Sequence, residues 1–117
     1  MEKKPSVVYF TNFRARPGTS VLQKLEKLIR AAGIGNIDME KKMVAIKIHF
    51  GEPGNLAYLR PNYAKVVADV VKSLGGMPFL TDCNTLYVGR RKNALDHMDA
   101  AYENGFSPFS TGCHVII

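Results

Sequence analysis

Met43-Val44-Ala45-Ile46-Lys47-Ile48-His49-Phe50-Gly51-Glu52-Pro53-Gly54-Asn55 is the stretch on which the fold turns. Val44, Ile46, Ile48 and Phe50 alternate with Met43, Ala45, Lys47 and His49, as a strand requires when successive side chains point to opposite faces. Both faces are largely apolar until Lys47, the pattern of a parallel strand covered by helices on both sides. The run then passes into ionisable, turn-forming and backbone-permissive residues. In open α/β sheets ligands bind beyond the carboxyl ends of the strands, and this is how such an end reads in sequence.

Working outward, Ser6 to Phe10 reads as a preceding strand, short, β-branched and aromatic. Ser20, with Gln23 three residues later, forms a capping box for a first helix whose stripe is Val21, Leu25, Leu28, Ile29 and Ala32, stopping at Gly33. Pro61 suits the first position of a second helix carrying Val66, Val67, Val70, Val71 and Leu74, ended by Gly75-Gly76. Met77 to Thr81 reads as another strand, and about Lys92 to Glu103 as a helix with Leu95, Met98 and Tyr102 inward. Cys113 to Ile117 is a last apolar run. Strands alternating with helices of this length predict a mostly parallel sheet of about four strands with helices on both faces, Rossmann-like and three-layered. The 117 residues suffice for one α/β domain over 1–117.

Hydrophobic residues at 46% and charged residues at 22% are ordinary for a globular chain. Sixteen Lys and Arg against ten Asp and Glu leave a net +6, so anions are the natural partners. No aromatic stacking platform or recognition motif accompanies the charge, and nucleic acid is not expected. Cys83 and Cys113 form no CxxC pair and fit a reducing, cytoplasmic setting. The start, Met1-Glu2-Lys3-Lys4-Pro5, reads as neither a secretory signal nor a membrane span. Gly33-Ile34-Gly35 follows a helix instead of a strand and is a stop signal, not a dinucleotide fingerprint.

Three connections leave strand ends, Thr11 to Thr19, Gly51 to Arg60 and Asp82 to Arg91, each longer than the roughly 2 to 6 residues usual there. Together they would bring Arg14, Arg16, Lys47, His49, Glu52, Asn55, Asp82, Asn84, Thr85, Arg90 and Arg91 to one rim. From these, Lys47, His49, Glu52, Asn55, Asp82, Asn84 and Arg90 are the expected ligand-binding set, with a small anionic molecule as guest. Asp82, Asn84 and Thr85 could equally cap the helix that follows or stabilise its loop. His49 is the candidate for proton transfer, with Glu52 or Asp82 as partner, if the chain is a small standalone enzyme. One histidine and two carboxylates without a ligand spacing assign no metal residue. His97 and His114 read as structural, and Tyr58, Tyr63 and Tyr87 as pocket-lining or half-buried packing residues.

The segments Val8-Tyr9-Phe10-Thr11, Val44 to Asn55, Arg60-Pro61, Thr81-Asp82-Cys83-Asn84-Thr85-Leu86-Tyr87 and Ala101-Tyr102-Glu103-Asn104-Gly105-Phe106 together resemble the amino-terminal part of an uncharacterised iron-sulfur-centre protein family, domain of unknown function 362. The resemblance implies an α/β portion that continues into further strands, and in many members a ferredoxin-like cysteine segment downstream. It implies a redox-associated scaffold whose Lys47-to-Asn55 and Asp82-to-Tyr87 motifs share a pocket. Cys83 and Cys113 match no cluster spacing, so no cofactor is expected in this chain and a 4Fe-4S cluster only in a longer form. The apolar ending Val115-Ile116-Ile117 would be an exposed strand edge, so the chain is expected to be shortened or completed by a partner. A homo-oligomer in which two chains pair or swap that edge is therefore expected. Light scattering at high protein concentration should give a dimer mass, and a monomer mass would refute the pairing.

Overall fold

β1 (Met43–Lys47) and β2 (Met77–Thr81) run parallel in register, from Met43 opposite Met77 to Lys47 opposite Thr81. β3 (His114–Val115) joins the other side of β2, with Phe79 opposite His114 and Leu80 opposite Val115, so the order is β1-β2-β3. The computed structural model describes residues 4–117. The chain divides into two compact units, one ending at Ile37 and one running from Asp38 to Ile117.

The amino-terminal unit is built on α1 (Val21–Ala31) and a short 3-10 turn (Ile34–Asn36). Ser20 Oγ accepts from Gln23 N at 3.2 Å and Gln23 Oε1 accepts from Ser20 N at 2.8 Å, completing the capping box that the sequence predicts. Ser6–Phe10 forms no strand and lies in no ladder, so the sheet has three strands among the described residues and not the expected four. β-branched and aromatic residues favour extended backbone, but a strand exists only where a neighbour takes up its amide and carbonyl groups.

The second unit is an α/β arrangement, roughly Rossmann-like, with α2 (Pro61–Ser73), α3 (Ala94–Glu103) and α4 (Pro108–Thr111) between the strands. Pro61 opens α2 as expected, its missing N–H being one that the first turn leaves unbonded in any case. α2 packs on β1, β2 and α4. The core gathers Phe50, Ala64, Ala68, Leu80, Ala101, Phe106, Cys113 and Val115. Phe50 meets Phe106 edge-on, ring centres 5.2 Å apart, a preferred aromatic geometry. The cover expected on both faces of β1 is partial. Met43, Ala45, Lys47 and His49 are exposed, whereas Val44, Ile46 and Ile48 are half-buried.

α3 turns a different face inward from the one expected. Leu95 is 76% exposed and Tyr102 is exposed, while His97, Ala100 and Ala101 are buried and Met98 packs against the core. Two alanines leave room for bulky neighbours such as Phe50 and Phe106, so the small residues mark the contact and the large ones stay outside.

The turn after β1 depends on Gly51, which has φ +86°. A Cβ there would lie 2.5 Å from the Tyr58 ring and 2.7 Å from Asn104 Nδ2, the amide that donates to Phe50 O at 2.8 Å. Gly51→Ala should therefore lower stability by about 2 kcal/mol, from the left-handed backbone cost plus displaced neighbours. A urea unfolding midpoint equal to wild type would contradict this account of the turn.

Candidate functional site

Parity decides what β1 and β2 present at their carboxyl ends. Lys47, on the exposed face of β1, reaches across to Asp82, the residue after β2, with Nζ 2.7 Å from Oδ1. The Lys47 side chain is 66% exposed and the Asp82 side chain 5%, so the pair runs from solvent into the protein. Cys83 N–H donates to the same Oδ1 at 2.8 Å. Ile48 N–H donates to Thr81 O at 3.0 Å, carrying the ladder one residue past β1 and fixing the spacing of the two ends.

The long loop after β2 folds back and buries Arg91, which is 5% exposed. Its Nε donates to Glu52 Oε1 at 2.8 Å, one terminal nitrogen also reaches that oxygen, and the same nitrogen donates to Tyr87 Oη at 2.6 Å. The other terminal nitrogen lies 3.4 Å from Asp82 Oδ2. Tyr87 Oη in turn donates to Glu52 Oε1. One guanidinium thus joins the loop after β1 to the loop after β2. Thr85 N–H donates to Arg91 O at 2.8 Å and Thr85 Oγ1 to Tyr87 O at 3.0 Å, closing the loop on itself.

His97, fully buried on α3, stands behind this network with Nδ1 3.0 Å from Asn84 Oδ1 and Nε2 3.8 Å from Asp82 Oδ2. Its Nε2 is the one buried side-chain polar atom among the described residues without a hydrogen-bond partner. Burial pushes its proton affinity below the ordinary imidazole range, against the pull of the Asp82 charge. For Asp82, burial acts upward, but the Lys47 hydrogen bond, the Cys83 amide and the neighbouring positive charge outweigh it and hold the carboxyl below its usual range. Arg91 and then Tyr87, by hydrogen bonding, do the same for Glu52. The Asp82 hydrogen bond raises Lys47.

Of the residues expected at the rim, Lys47, Glu52 and Asp82 meet in this network and Asn84 joins it through His97. His49, two residues past β1, is exposed as Lys47 is, and its Nδ1 accepts from Gly51 N–H at 2.9 Å, leaving Nε2 unused by the fold. Asn55 Oδ1 accepts from Ala57 N–H at 2.7 Å and shapes the loop. Arg90 turns away to Glu103, 2.5 Å from its carboxylate. Arg91, expected at the rim but left out of the ligand-binding set, sits at the centre of the network, and nothing in two adjacent arginines distinguishes the buried one. Asn93 caps α3, accepting from Asp96 N–H at 3.0 Å, while Asp82 and Thr85 stabilise the loop before it, as the other expected role for them has it. Arg14 and Arg16 belong to the amino-terminal unit.

Cys83 is exposed and Cys113 is a core residue, and both are free thiols. An iron-sulfur cluster is held by a set of thiolates that these two do not supply, so the residues present do not fit one. Among the described residues no group of three or more His, Cys, Asp and Glu is placed to hold a metal ion. No helix among them is long and apolar enough to cross a membrane. The family model described as domain of unknown function (DUF362) matches residues 44–117. Comparison with the curated proteins and with the solved structures gave no match.

The lowered carboxyls and imidazole fix an acid dependence. A carboxyl held low contributes stability that is complete above its ordinary range, 3.8 for Asp and 4.5 for Glu, and is lost as pH falls through the folded value. A histidine held below 6.5 acts in the same direction, because below that pH the unfolded chain takes up a proton that the folded chain resists. Urea midpoints should therefore be level above about pH 7, begin to fall below 6.5 and fall steeply below about 4. His97→Phe should remove the first decline and keep the second. A wild-type midpoint constant from neutrality to pH 5 would contradict the assignment.

Proposed function

This chain belongs to the family of the domain of unknown function DUF362, and we propose that the carboxyl ends of β1 and β2 form its binding site for a small anionic molecule. The observation that carries the reading is the exposed Lys47 ammonium standing over the buried carboxylate of Asp82, on adjacent parallel strands. The arrangement supports division of labour. Arg91, Glu52, Tyr87 and Asp82 satisfy one another inside and hold both loops, with His97 packed behind them. Lys47 and the His49 Nε2 edge face outward and meet the guest, with Asn55 shaping the loop beside them. A cation held in place by a buried partner loses less freedom on binding than one on a loose side chain, so part of the ordering cost is met in advance.

Proton transfer by His49 is the second reading, favoured by the Gly51 N–H bond that fixes Nδ1 as acceptor. Its suggested partners are less suited to it. Glu52 is engaged by Arg91 and Tyr87, and Asp82 by Lys47 and Cys83 N–H. Carboxylates so engaged hold structure more readily than they exchange protons, so binding is the function the geometry supports better.

Titration of the chain with citrate and with inorganic phosphate, followed by backbone amide shifts, tests the reading. Shifts should centre on residues 47–55 and 82–85, and Lys47→Ala should weaken binding about tenfold, the effect of one lost charge-assisted hydrogen bond. Equal affinity of Lys47→Ala and wild type for both anions would overturn it.

A further inference from the structure

Charge is unevenly shared along the chain. Up to Ile37 there are seven Lys and Arg against two acids, a net +5, whereas from Asp38 there are nine against eight, a net +1. Nearly all of the excess therefore lies in the amino-terminal unit. That unit contains a concave cleft of about 810 Å³, within the range of about 300–1,000 Å³ usual for small-molecule sites. Arg14, Arg16, Lys24 and Lys27 line it together with the apolar Phe10 and Leu28.

The cleft is held open by its own backbone. Lys24 Nζ, on α1, donates to Asn12 O at 2.7 Å, Asn12 Oδ1 at 2.8 Å and Arg14 O at 2.9 Å, fastening the loop to the helix. Arg16 and Thr19 exchange backbone hydrogen bonds of 3.2 and 2.9 Å, with Gly18 at φ +76° turning the chain between them. Lys24 thus spends its donors on the fold, while the Arg14, Arg16 and Lys27 side chains have no hydrogen bond or ion pair among the described residues. Glu26 does not neutralise them, being 2.9 Å from Arg30. Three unpaired cations around one concavity repel one another, and an anion placed among them relieves that repulsion. The planar fork of a guanidinium matches two oxygens of a phosphate, and Phe10, 85% exposed, offers an apolar wall beside them.

We propose that this cleft is a second binding site, for a small phosphorylated molecule with a flat apolar body, gripped by Arg14, Arg16 and Lys27 and backed by Phe10 and Leu28. It shares no residue with the strand-end rim and stands independently of the reading given there.

Phenyl phosphate is the probe, titrated into the 117-residue chain and followed by backbone amide shifts, with phenol as the uncharged control. Saturable shifts should fall within residues 10–31. The double variant Arg14→Gln/Arg16→Gln should bind at least about tenfold more weakly, and Lys27→Glu, at an exposed position of a capped helix, should show a similar loss. Shifts within residues 10–31 should saturate with their own midpoint, whatever happens at residues 47–55 and 82–85, which separates this site from the rim. Circular dichroism checks that each variant keeps its helices, and Lys27→Glu alone decides the matter if the loop variant does not. Phenol binding as tightly as phenyl phosphate would overturn the proposal, as would shifts confined to residues 47–55 and 82–91. So would undiminished affinity in the variants. A single-stranded oligonucleotide that saturates the chain with a steep salt dependence while phenyl phosphate does not would assign the charge to nucleic acid instead.

Discussion

A guanidinium withdrawn from water must find its counter-charges inside the fold, and Arg91 imposes that requirement on everything around it. Desolvating the group is costly, and the cost is offset only if its donors meet acceptors in good geometry. Glu52, Tyr87 and Asp82 supply them, from the loop after β1, the loop after β2 and the residue just past the end of β2. Two connections too long to be fixed by their own turns become one structure. The exposed rim owes its shape to a residue that does not itself reach the surface.

The backbone frame was legible because its signals are local. Ser20 and Gln23 form their box, Pro61 opens α2, and β1 and β2 occur where alternating or apolar runs place them. The misreadings concern partners. Ser6–Phe10 has strand composition but lies in no ladder, since a ladder depends on a second segment that composition does not reveal. On α3 the rule that large residues point inward fails, because the neighbouring aromatic rings leave space for alanine and not for leucine or tyrosine.

The site was read with similar limits. Lys47, Glu52 and Asp82 stand at strand ends, where position alone marks them out, and they do converge. The choice between Arg90 and Arg91 depends on how a ten-residue loop folds back, and neither periodicity nor charge records it. His97 passed as a structural residue and is buried as such, yet its ring also stands 3.8 Å from the Asp82 carboxylate. A basic composition suggested one common anion-binding mouth. In the strand-end network Lys47 and Arg91 are paired with carboxylates, and most of the surplus charge lies in the first 37 residues of the sequence.

The different surroundings of the two thiols give the molecule a built-in reporter. Cys83 is open to reagents and its own amide is bonded to Asp82, whereas Cys113 is enclosed beside Leu80 and Val115. A maleimide dye added to the folded protein would mark the first and pass over the second. Its fluorescence would then respond to whatever occupies the neighbouring mouth, without a single engineered residue.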